Sequence, residues 1–437
     1  MQSEKNNKGR GFNRRRFLNL FSIVPAYFTT SSIWARGKNI NENAFSPVFI
    51  NEQGKQLPVS PGNAIASIIE SKIICKEKGK YLGQASEYGV NEDGHPSIIK
   101  KVIEEDRYVG WPTITKTNTG ELIVAFSGDR DSHVCPWGKT QIICSKDQGK
   151  TWSDPETINS TPLDDRDAGV IQTKKGTLLV SWFASQAFIT ASYFQGAIQR
   201  YMRHAEKIPT DIREKWLGNW IRRSEDSGKT WQHPIRTISS APHGPIQLRD
   251  GRLLYLGTGT WKGRPTNTVE ESTDDGKTWK VIADIPKPAG FAGGLNEPHM
   301  VELTSGKLIA MFRNEPKDRT QCFLMQSDSP DGGRTWSPLW STGIWGYPPH
   351  LIQLKNGSVI VVYGHRREPY GEMACVSRDE GKTWDLENQI LLTGAPGRDL
   401  GYPSSVQLDD SSILTVYYQA EKQGEHTCII STNWELK

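Results

Sequence analysis

The sequence has few of the features that mark metal-dependent, disulfide-rich or nucleic-acid-binding proteins. Its 437 residues include only six cysteines, which lie far apart and form no Cys-x-x-Cys pair. No Asp-x-Asp-x-Asp run of the kind that binds calcium is present. Lysine and arginine are scattered, and the net charge is only +4. We therefore expect no metal, no other cofactor and no nucleic-acid partner, and we assign the cysteines no function.

Long apolar runs are also missing beyond the N-terminus. Three arginines at 14–16, followed by Phe17-Leu18, precede an apolar stretch to Phe28 and small or polar residues to Ala35. This order resembles a bacterial twin-arginine export signal, and the stretch is short for a membrane span. We expect residues 1–35 to be an export signal and the mature chain, with no stable membrane span, to be periplasmic or secreted. A basic Sec signal or a membrane-anchored start is the alternative.

What the sequence does contain is one short pattern, Ser-x-Asp-x-Gly-x-Thr-Trp, repeated five times. Aspartate can accept backbone hydrogen bonds in a turn, glycine tolerates positive φ, and the tryptophan can cover the turn. Successive copies are 48 to 79 residues apart, which is the spacing of four-stranded propeller blades. The copies are SKDQGKTW, SEDSGKTW, STDDGKTW, SPDGGRTW and SRDEGKTW, ending at Trp152, Trp231, Trp279, Trp336 and Trp384.

A second repeated phrase, two apolar stretches joined by a short turn, occurs six times and predicts the two inner strands of six blades. The copies begin at Trp111, Ala168, His243, Glu297, Tyr347 and Tyr402. The last is followed by CIISTNW, which we interpret as a decayed turn motif. The sequence thus predicts an all-β, six-bladed β-propeller over residues 105–437. Residues 36–104 lack the phrase, and we expect them to supply outer strands that close the ring.

Strand order predicts which face of the propeller carries function. In a four-stranded meander, the turns between strands one and two and between strands three and four share one face, here called the lower face. The opposite, upper face receives the start of each first strand and the end of each second strand. A stretch of helical periodicity at about 185–216 follows the second strand of the second blade. We interpret it as a short helical insertion that covers the upper face, or else as an inert surface decoration.

Ionisable residues are dense on this upper face, where strand ends hold side chains rigidly around a concave opening. Several arginines converge there from different blades, and paired guanidinium donors suit a carboxylate or sulfate. An acidic sugar is therefore the expected ligand. The candidate substrate-binding residues are Arg130, Arg166, Asp167, His243, Arg313, Arg366 and Arg367.

The repeated turn, the loop around Arg130, and the phrases PHGPIQLRDGRLL, NEPHMVEL, MFRN and Gly401-Tyr402 together resemble the sialidase superfamily. Its members are six-bladed propellers with bacterial neuraminidase (BNR) repeats, or Asp boxes. The resemblance extends from about Arg107 to the C-terminus. It implies that Tyr402 is a nucleophile, Glu297 its partner base and Asp131 the acid/base. Of the three arginines that bind the substrate carboxylate in this family, the second corresponds to Arg313 and the third to Arg366 or Arg367.

The chain departs from the family at the first arginine, where it has Gly110 in Tyr-Val-Gly-Trp-Pro. Arg107 or Arg130 would have to replace it from another direction. The first-blade loop also adds His133, a residue suited to acid/base chemistry. An aromatic recurs at the position of Tyr402, so a packing role is the alternative for that tyrosine.

These residues lead to three hypotheses. The first is an exported, sialidase-like exo-glycoside hydrolase that cleaves a terminal acidic sugar with a Tyr/Glu pair and an Asp or His acid/base. The second is a polysaccharide lyase, or a non-sialidase glycosidase, that uses His133. The third is a non-catalytic propeller that only binds glycans.

Overall fold

The computed structural model describes residues 48–50, 56–58, 65–90, 96–190, 198–288, 291 and 293–437. The export signal predicted for residues 1–35 lies outside them. Five strands precede the first inner hairpin: β1 (Val48–Ile50), β2 (Gln56–Pro58), β3 (Ala66–Cys75), β4 (Lys78–Val90) and β5 (Pro96–Asp106). β1 pairs with β2, and β4 pairs with β5 as a separate antiparallel hairpin.

The rest of the described chain, together with β3, forms six four-stranded antiparallel sheets. The predicted six-bladed propeller is therefore confirmed. Blade 1 contains β6 (Tyr108–Lys116), β7 (Leu122–Arg130), β8 (Lys139–Ser145) and β9 (Glu156–Asn159). Blade 2 contains β10 (Asp164–Gln172), β11 (Leu178–Ser185), β12 (Gly218–Ser224) and β13 (Ile235–Thr237). Blade 3 contains β14 (Ile246–Gln247), β15 (Leu253–Trp261), β16 (Arg264–Ser272) and β17 (Lys280–Ile285).

Blades 4 and 5 continue the same meander in chain order. Blade 4 contains β18 (Gly294–Glu302), β19 (Leu308–Glu315), β20 (Phe323–Ser329) and β21 (Trp340–Trp345). Blade 5 contains β22 (Pro349–Gln353), β23 (Val359–His365), β24 (Gly371–Ser377) and β25 (Ile390–Gly394).

The sixth blade is assembled from both ends of the described chain. Its three inner strands are β26 (Leu400–Gln407), β27 (Ile413–Ala420) and β28 (Thr427–Leu436), and its outer strand is β3, paired antiparallel with β28. The segment CIISTNW lies inside β28, so our interpretation of it as a decayed turn is wrong. No turn is needed there because the fourth strand arrives from the N-terminal side. This pairing joins the two ends of the ring.

Each inner strand is buried on both faces because a blade packs between two neighbours. In β7 the five residues from Leu122 to Phe126 are all at most 2% exposed. Alternate residues enter different cores: Leu122, Val124 and Phe126 pack toward blade 6, whereas Ile123 and Ala125 pack toward blade 2. This two-sided burial explains why the strands are continuous apolar runs rather than alternating ones.

The Ser-x-Asp-x-Gly-x-Thr-Trp turns lie between the third and fourth strands of blades 1 to 5, as strand order predicts. In blade 1, Asp147 accepts hydrogen bonds from the backbone and hydroxyl of Thr151 at 2.8 and 2.6 Å. Ser145 Oγ accepts from the amide of Gly149, whose φ is 85°. The same four residues make equivalent bonds in the other four copies.

A second set of repeated bonds links neighbouring blades on the lower face. At the end of each first strand in blades 2 to 6, a glutamine or glutamate accepts a backbone N–H from the preceding blade's turn at 2.6 to 2.9 Å. The acceptors are Gln172, Gln247, Glu302, Gln353 and Gln407. In blade 1 the equivalent Lys116 forms an ion pair with Asp409 of blade 6. The lower face is thus a closed ring of inter-blade contacts.

The predicted helical insertion is confirmed between β11 and β12 of blade 2. It contains α1 (Ala187–Thr190), α2 (Ile198–Glu206) and α3 (Thr210–Trp216). Phe188 and Tyr201 join Val134 and Cys135, from the loop after β7, in one apolar cluster. The insertion therefore supports the first-blade loop that carries Asp131 and His133.

Candidate active site

Four of the six blades are kinked at the same place, where the first strand begins. Trp111, Asp167, Glu297 and Tyr402 each have a positive φ between 44° and 56°. Each kink coincides with a break in pairing between the first and second strands. Such backbone costs on the order of 1–3 kcal/mol per non-glycine residue, and bulges of this kind re-aim side chains. The four kinks therefore direct side chains of blades 1, 2, 4 and 6 onto the upper face.

Tyr402 and Glu297 are in direct contact there. The phenol of Tyr402 donates a 2.6 Å hydrogen bond to Glu297 Oε1, and Arg313 Nη1 donates a 2.5 Å bond to Glu297 Oε2. Arg313 Nη1 also lies 3.3 Å from the Tyr402 oxygen, and Nη2 binds Glu315 at 2.7 Å. Burial raises the pKa of Tyr402 well above its usual value, and the charge of Glu297 adds to the effect. Tyr402 is therefore a neutral phenol with a carboxylate placed to accept its proton.

The structure distinguishes the two candidates for the third arginine. Arg366 lies over Tyr402, with its guanidinium carbon 5.4 Å from the ring centre, and its Nη2 donates to Tyr418 at 3.2 Å. Arg367 instead stacks on Trp345 at 4.1 Å, and burial lowers its pKa to about 10. Arg366, and not Arg367, is the residue that joins Tyr402 and Arg313.

Asp167 faces Glu297 across a cavity of about 320 Å³, whose walls also include Asn219, Asn296 and Thr258. Burial raises the pKa of Asp167 to about 7, although the charge of Arg166 opposes the shift. Arg166 stacks on the Trp111 ring at 4.3 Å. Both predicted residues thus border the same region as Tyr402.

The first-blade loop holds Asp131 in an ion pair. Arg107 Nη1 donates to Asp131 at 2.5 Å, and Arg107 Nε donates to Asp129 at 3.1 Å. The side chains of Arg107 and Asp131 are only 8% and 12% exposed. Arg107 is therefore occupied by its own loop and does not supply the missing first arginine.

The expectation that Arg130 binds substrate needs correction. Arg130 is completely buried, and its guanidinium binds Asp164, the Ser127 hydroxyl and the backbone oxygen of His133. A guanidinium surrounded by protein acceptors has no donor left for a ligand. Arg130 is a scaffold residue that fixes the loop.

His133 lies in a hydrogen-bonded group with two tyrosines and an aspartate. Its Nδ1 is 2.8 Å from the Tyr108 oxygen, and Tyr108 donates to Asp399 Oδ1 at 3.1 Å. Tyr418 donates to the same Asp399 oxygen at 3.1 Å. The His133 and Asp399 side chains are 41% and 46% exposed, so this group reaches the surface.

His243 was expected on the upper face, but it does not lie there. It is 2% exposed and packs edge-on against His299 and His350, from the next two blades, at ring distances of 5.6 and 4.9 Å. Burial lowers the pKa of all three histidines. The three neutral rings form part of the wall of a cavity of about 490 Å³ between the first strands. His243 therefore belongs to the core along the propeller axis.

Among the described residues, no group of three or more histidine, cysteine, aspartate or glutamate side chains is arranged to hold a metal ion. Nor does any described helix have the length and apolar character needed to cross a membrane.

Known proteins similar to this chain include BNR-repeat proteins and sialidases. The BNR repeat-like domain family matches residues 201–415. A sialidase of Bacteroides fragilis is 21% identical over 397 residues, which are 83% of this chain and 70% of that protein. These matches support the resemblance of this propeller to the sialidase/BNR-type superfamily.

Other relatives of this BNR propeller match over shorter lengths. The xyloglucanase Xgh74A of Acetivibrio thermocellus is 26% identical over 40% of this chain, and the match spans only 22% of that protein. Among solved structures, a Dyadobacter fermentans protein of unknown function has a TM-score of 0.65 at 23% identity, with coverage of 85% of this chain and 99% of that one. The intramolecular trans-sialidase of Ruminococcus gnavus has a TM-score of 0.56 at 13% identity, with coverage of 75% and 94%. These structures share the fold.

In this BNR propeller, two aromatic side chains fill the place where the resemblance expects the first arginine. A Cβ atom added to Gly110 would lie 3.3 Å from the Tyr108 ring and 3.6 Å from the Tyr418 ring. A side chain at Gly110 would therefore press against the Tyr108 ring and contact the Tyr418 ring. The hydroxyls of both tyrosines donate to Asp399, so the two rings that border Gly110 are held by a carboxylate.

Our sequence reasoning missed Tyr108, Tyr418 and Trp111 as members of the site. All three lie at the upper ends of inner strands, where we had searched only for ionisable residues. Applying the same strand-end rule to aromatics would have found them. The hydrogen bond between Tyr108 and Asp399 links residues 291 positions apart, and no local pattern predicts such a pair.

Proposed function

We propose that this propeller is an exported, sialidase-like exo-glycoside hydrolase that removes a terminal acidic sugar from a glycan. Tyr402 is the nucleophile and Glu297 the base that activates it. The observation that carries the proposal is the 2.6 Å hydrogen bond from the Tyr402 phenol to Glu297, with Arg313 bound to the same carboxylate. A phenol is a poor nucleophile until a base removes its proton, and this pair provides that base.

The reaction follows from these contacts. The Tyr402 oxygen attacks the anomeric carbon while Glu297 takes the phenol proton, and the leaving oxygen receives a proton from an acid on the other side. Water then attacks the same carbon, the bond to Tyr402 breaks, and Glu297 returns the proton. A neutral nucleophile suits an anionic sugar because a carboxylate nucleophile would repel it. Arg313 holds Glu297 in position throughout.

The arginines support an acidic substrate. Arg313 and Arg366 both lie beside Tyr402 and offer planar donors to a carboxylate or sulfate. The matched relatives include proteins named sialidase, xyloglucanase and alpha-L-arabinanase, all of which act on sugars. Since Tyr108 and Tyr418 replace the first arginine, we propose an acidic sugar other than sialic acid.

The proposal is tested by incubating the purified protein with aryl α-sialosides, aryl uronides and acidic oligosaccharides, and by measuring released sugar by mass spectrometry. Tyr402→Phe should abolish release, whereas Tyr417→Phe, which removes a hydroxyl bonded to Thr432 in blade 6, should not. Release of no sugar from any substrate, with glycan binding retained, would refute the hydrolase and leave a binding propeller. A binding propeller also predicts that Tyr402→Phe changes no measurable property.

A lyase is the second candidate, and the state of His133 favours it. Desolvation of its partly buried ring lowers the pKa of His133, and the charges of Arg166 and Arg366 add to this shift while Asp399 opposes it, so the net change favours the neutral base. A base beside arginines that bind a uronate carboxylate is the arrangement that β-elimination requires. A lyase would produce an unsaturated uronate that absorbs in the ultraviolet, and its activity would rise with pH through the pKa of His133.

A further inference from the structure

The sequence offered two candidates, Asp131 and His133, for the acid of the proposed reaction. The contacts of the first-blade loop distinguish between them. Asp131 is bound by Arg107 at 2.5 Å and is 12% exposed. Its carboxylate is therefore already engaged in an ion pair within the protein. His133 is 41% exposed and is bound only through Nδ1 within the described chain. His133 is thus the group able to reach a substrate.

The hydrogen bonds around His133 fix where its protons lie. Burial opposes ionisation of Asp399, but hydrogen bonds and nearby positive charges outweigh it and lower the pKa, so this carboxylate only accepts. The single proton of Tyr108 is therefore donated to Asp399, at 3.1 Å. With that proton given to Asp399, the Tyr108 oxygen accepts from His133 Nδ1–H at 2.8 Å, and the same Nδ1 lies 3.4 Å from Asp399 Oδ1. In the neutral ring this leaves Nε2 unprotonated and available to exchange a proton.

We infer that His133 is the acid/base residue of the hydrolysis proposed above, and that Tyr108, Asp399 and Tyr418 are its positioning residues. The inference rests on the proposed function. In the first step His133 Nε2–H gives its proton to the glycosidic oxygen as the bond to the anomeric carbon breaks. In the second step the neutral Nε2 takes a proton from the attacking water, whose oxygen bonds to the anomeric carbon as Tyr402 leaves. One water is consumed, and every group returns to its starting state.

The charged groups that face His133 come from three blades and oppose one another. Asp399 raises the pKa of His133, whereas burial, Arg166 and Arg366 lower it, and the net shift is downward. Tyr108 contributes a neutral hydroxyl. Because the first step needs protonated His133, activity is lost as pH rises through this lowered pKa. We expect the alkaline limb of the kcat/KM profile below pH 6.5.

The experiment combines kinetics with NMR on the full chain. Phenyl and 2,4-dinitrophenyl glycosides of the sugar found in the substrate panel differ in their need for an acid, because dinitrophenolate leaves without protonation. His133→Gln should lower kcat/KM for the phenyl glycoside by about 10²–10⁴-fold and for the dinitrophenyl glycoside far less. Asp399→Asn should move the alkaline limb to lower pH, since it removes the charge that favours the imidazolium. Asp131→Asn should keep the wild-type dependence on leaving group.

The NMR measurement needs no substrate. Protein labelled with ¹⁵N-histidine should show His133, identified by its absence in His133→Gln, as the Nδ1–H form, and Tyr108→Phe should change that form. The Nε2–H form in the wild type would overturn the inference, as would a His133→Gln variant with an unchanged pH profile and leaving-group dependence. If Tyr402→Phe abolishes turnover while His133→Gln does not, only this inference fails. If no form of the protein cleaves any glycoside, the proposed function fails and the acid/base role of His133 fails with it. The NMR result then decides only whether Tyr108 and Asp399 hold His133 in the Nδ1–H form.

Discussion

The two faces of this propeller are built from the same strands and differ in how they treat polar groups. On the lower face, five turns repeat one set of hydrogen bonds, and five glutamine or glutamate side chains repeat one inter-blade link. On the upper face the equivalent positions carry Trp111, Asp167, Glu297 and Tyr402, all in strained backbone. Repetition thus marks the face that holds the ring together.

The carboxyl groups of the two faces show the difference most directly. Hydrogen bonds from the side chain and backbone of Thr230 lower the pKa of Asp226 on the lower face to about 2. Burial raises the pKa of Asp167 on the upper face to about 7. A carboxylate surrounded by donors stabilises a fold, whereas a buried one with few donors costs stability and is retained for another purpose. Ionisation of Asp167 on the upper face therefore lowers stability, whereas ionisation of Asp226 on the lower face raises it.

The largest expected effect is on turnover and concerns β18, which carries Glu297 near its upper end and Glu302 at its lower end. Glu297→Gln at the upper end of β18 should lower turnover by about 10²–10⁴-fold, because an amide cannot take the proton of Tyr402. Glu302→Gln at the lower end should leave turnover unchanged, since four other blades place glutamine there. Kinetics and melting temperatures of both variants test this. Equal turnover in both would abolish the functional distinction between the faces.

Burial of Arg130 provides the next largest effect, this time on stability. Arg130→Met should lower the free energy of unfolding by about 3–5 kcal/mol, because the buried Asp164 loses its close guanidinium partner and keeps only Arg166, 3.8 Å away. Arg264→Met, at an ion pair whose arginine is 56% exposed, should cost at most about 1 kcal/mol. Urea denaturation measures both. A small loss of unfolding free energy in Arg130→Met would contradict the scaffold role of Arg130 and restore it as a candidate substrate-binding residue.

The same contrast between the faces explains what the sequence could predict. The turn motif and the inner hairpins are local, so their repetition predicted the fold, the number of blades and the lower face. The pairs on the upper face join distant residues, as Tyr402 with Glu297 does. Strand order predicted that both residues reach this face, and only the resemblance paired them.

The incorrect expectations have a common physical cause. Strand order shows which end of a strand a residue occupies, but not whether its side chain points outward or into the core. Arg130 and His243 lie near the correct strand ends, yet Arg130 turns inward to Asp164 and His243 packs at the axis. The outer strand of blade 6 came from the N-terminal segment, so CIISTNW needed no turn. Side-chain direction and distant pairing are the information that a single sequence lacks.

A smaller effect is expected from the inter-blade ring. Gln353 accepts from the backbone and hydroxyl of Thr304 at 2.7 and 2.8 Å. Gln353→Ala should therefore cost about 1 kcal/mol of unfolding free energy and leave turnover unchanged. Gln353→Glu should restore most of it, because Glu302 makes the same link in blade 4. A loss of activity in Gln353→Ala would show that the lower ring acts on the site as well as on stability.

The smallest effect concerns how stability depends on pH. A carboxyl group on the lower face and one on the upper face should change stability in opposite directions as pH rises. Asp226 has a folded pKa below its unfolded value of 3.8, so its contribution to stability is present above pH 4 and is lost as pH falls toward 2. Asp167 has a folded pKa above its unfolded value, so it lowers stability progressively as pH rises from 4 through 7. Melting temperatures between pH 3 and 8 should therefore show Asp226→Asn converging with the wild type in acid. Asp167→Asn should gain most over the wild type above pH 7, where the native carboxyl must ionise in its buried position. Parallel curves for the wild type and Asp167→Asn would mean that Asp167 is solvated in the folded protein, and the upper face would then lack the buried charge that separates it from the lower one.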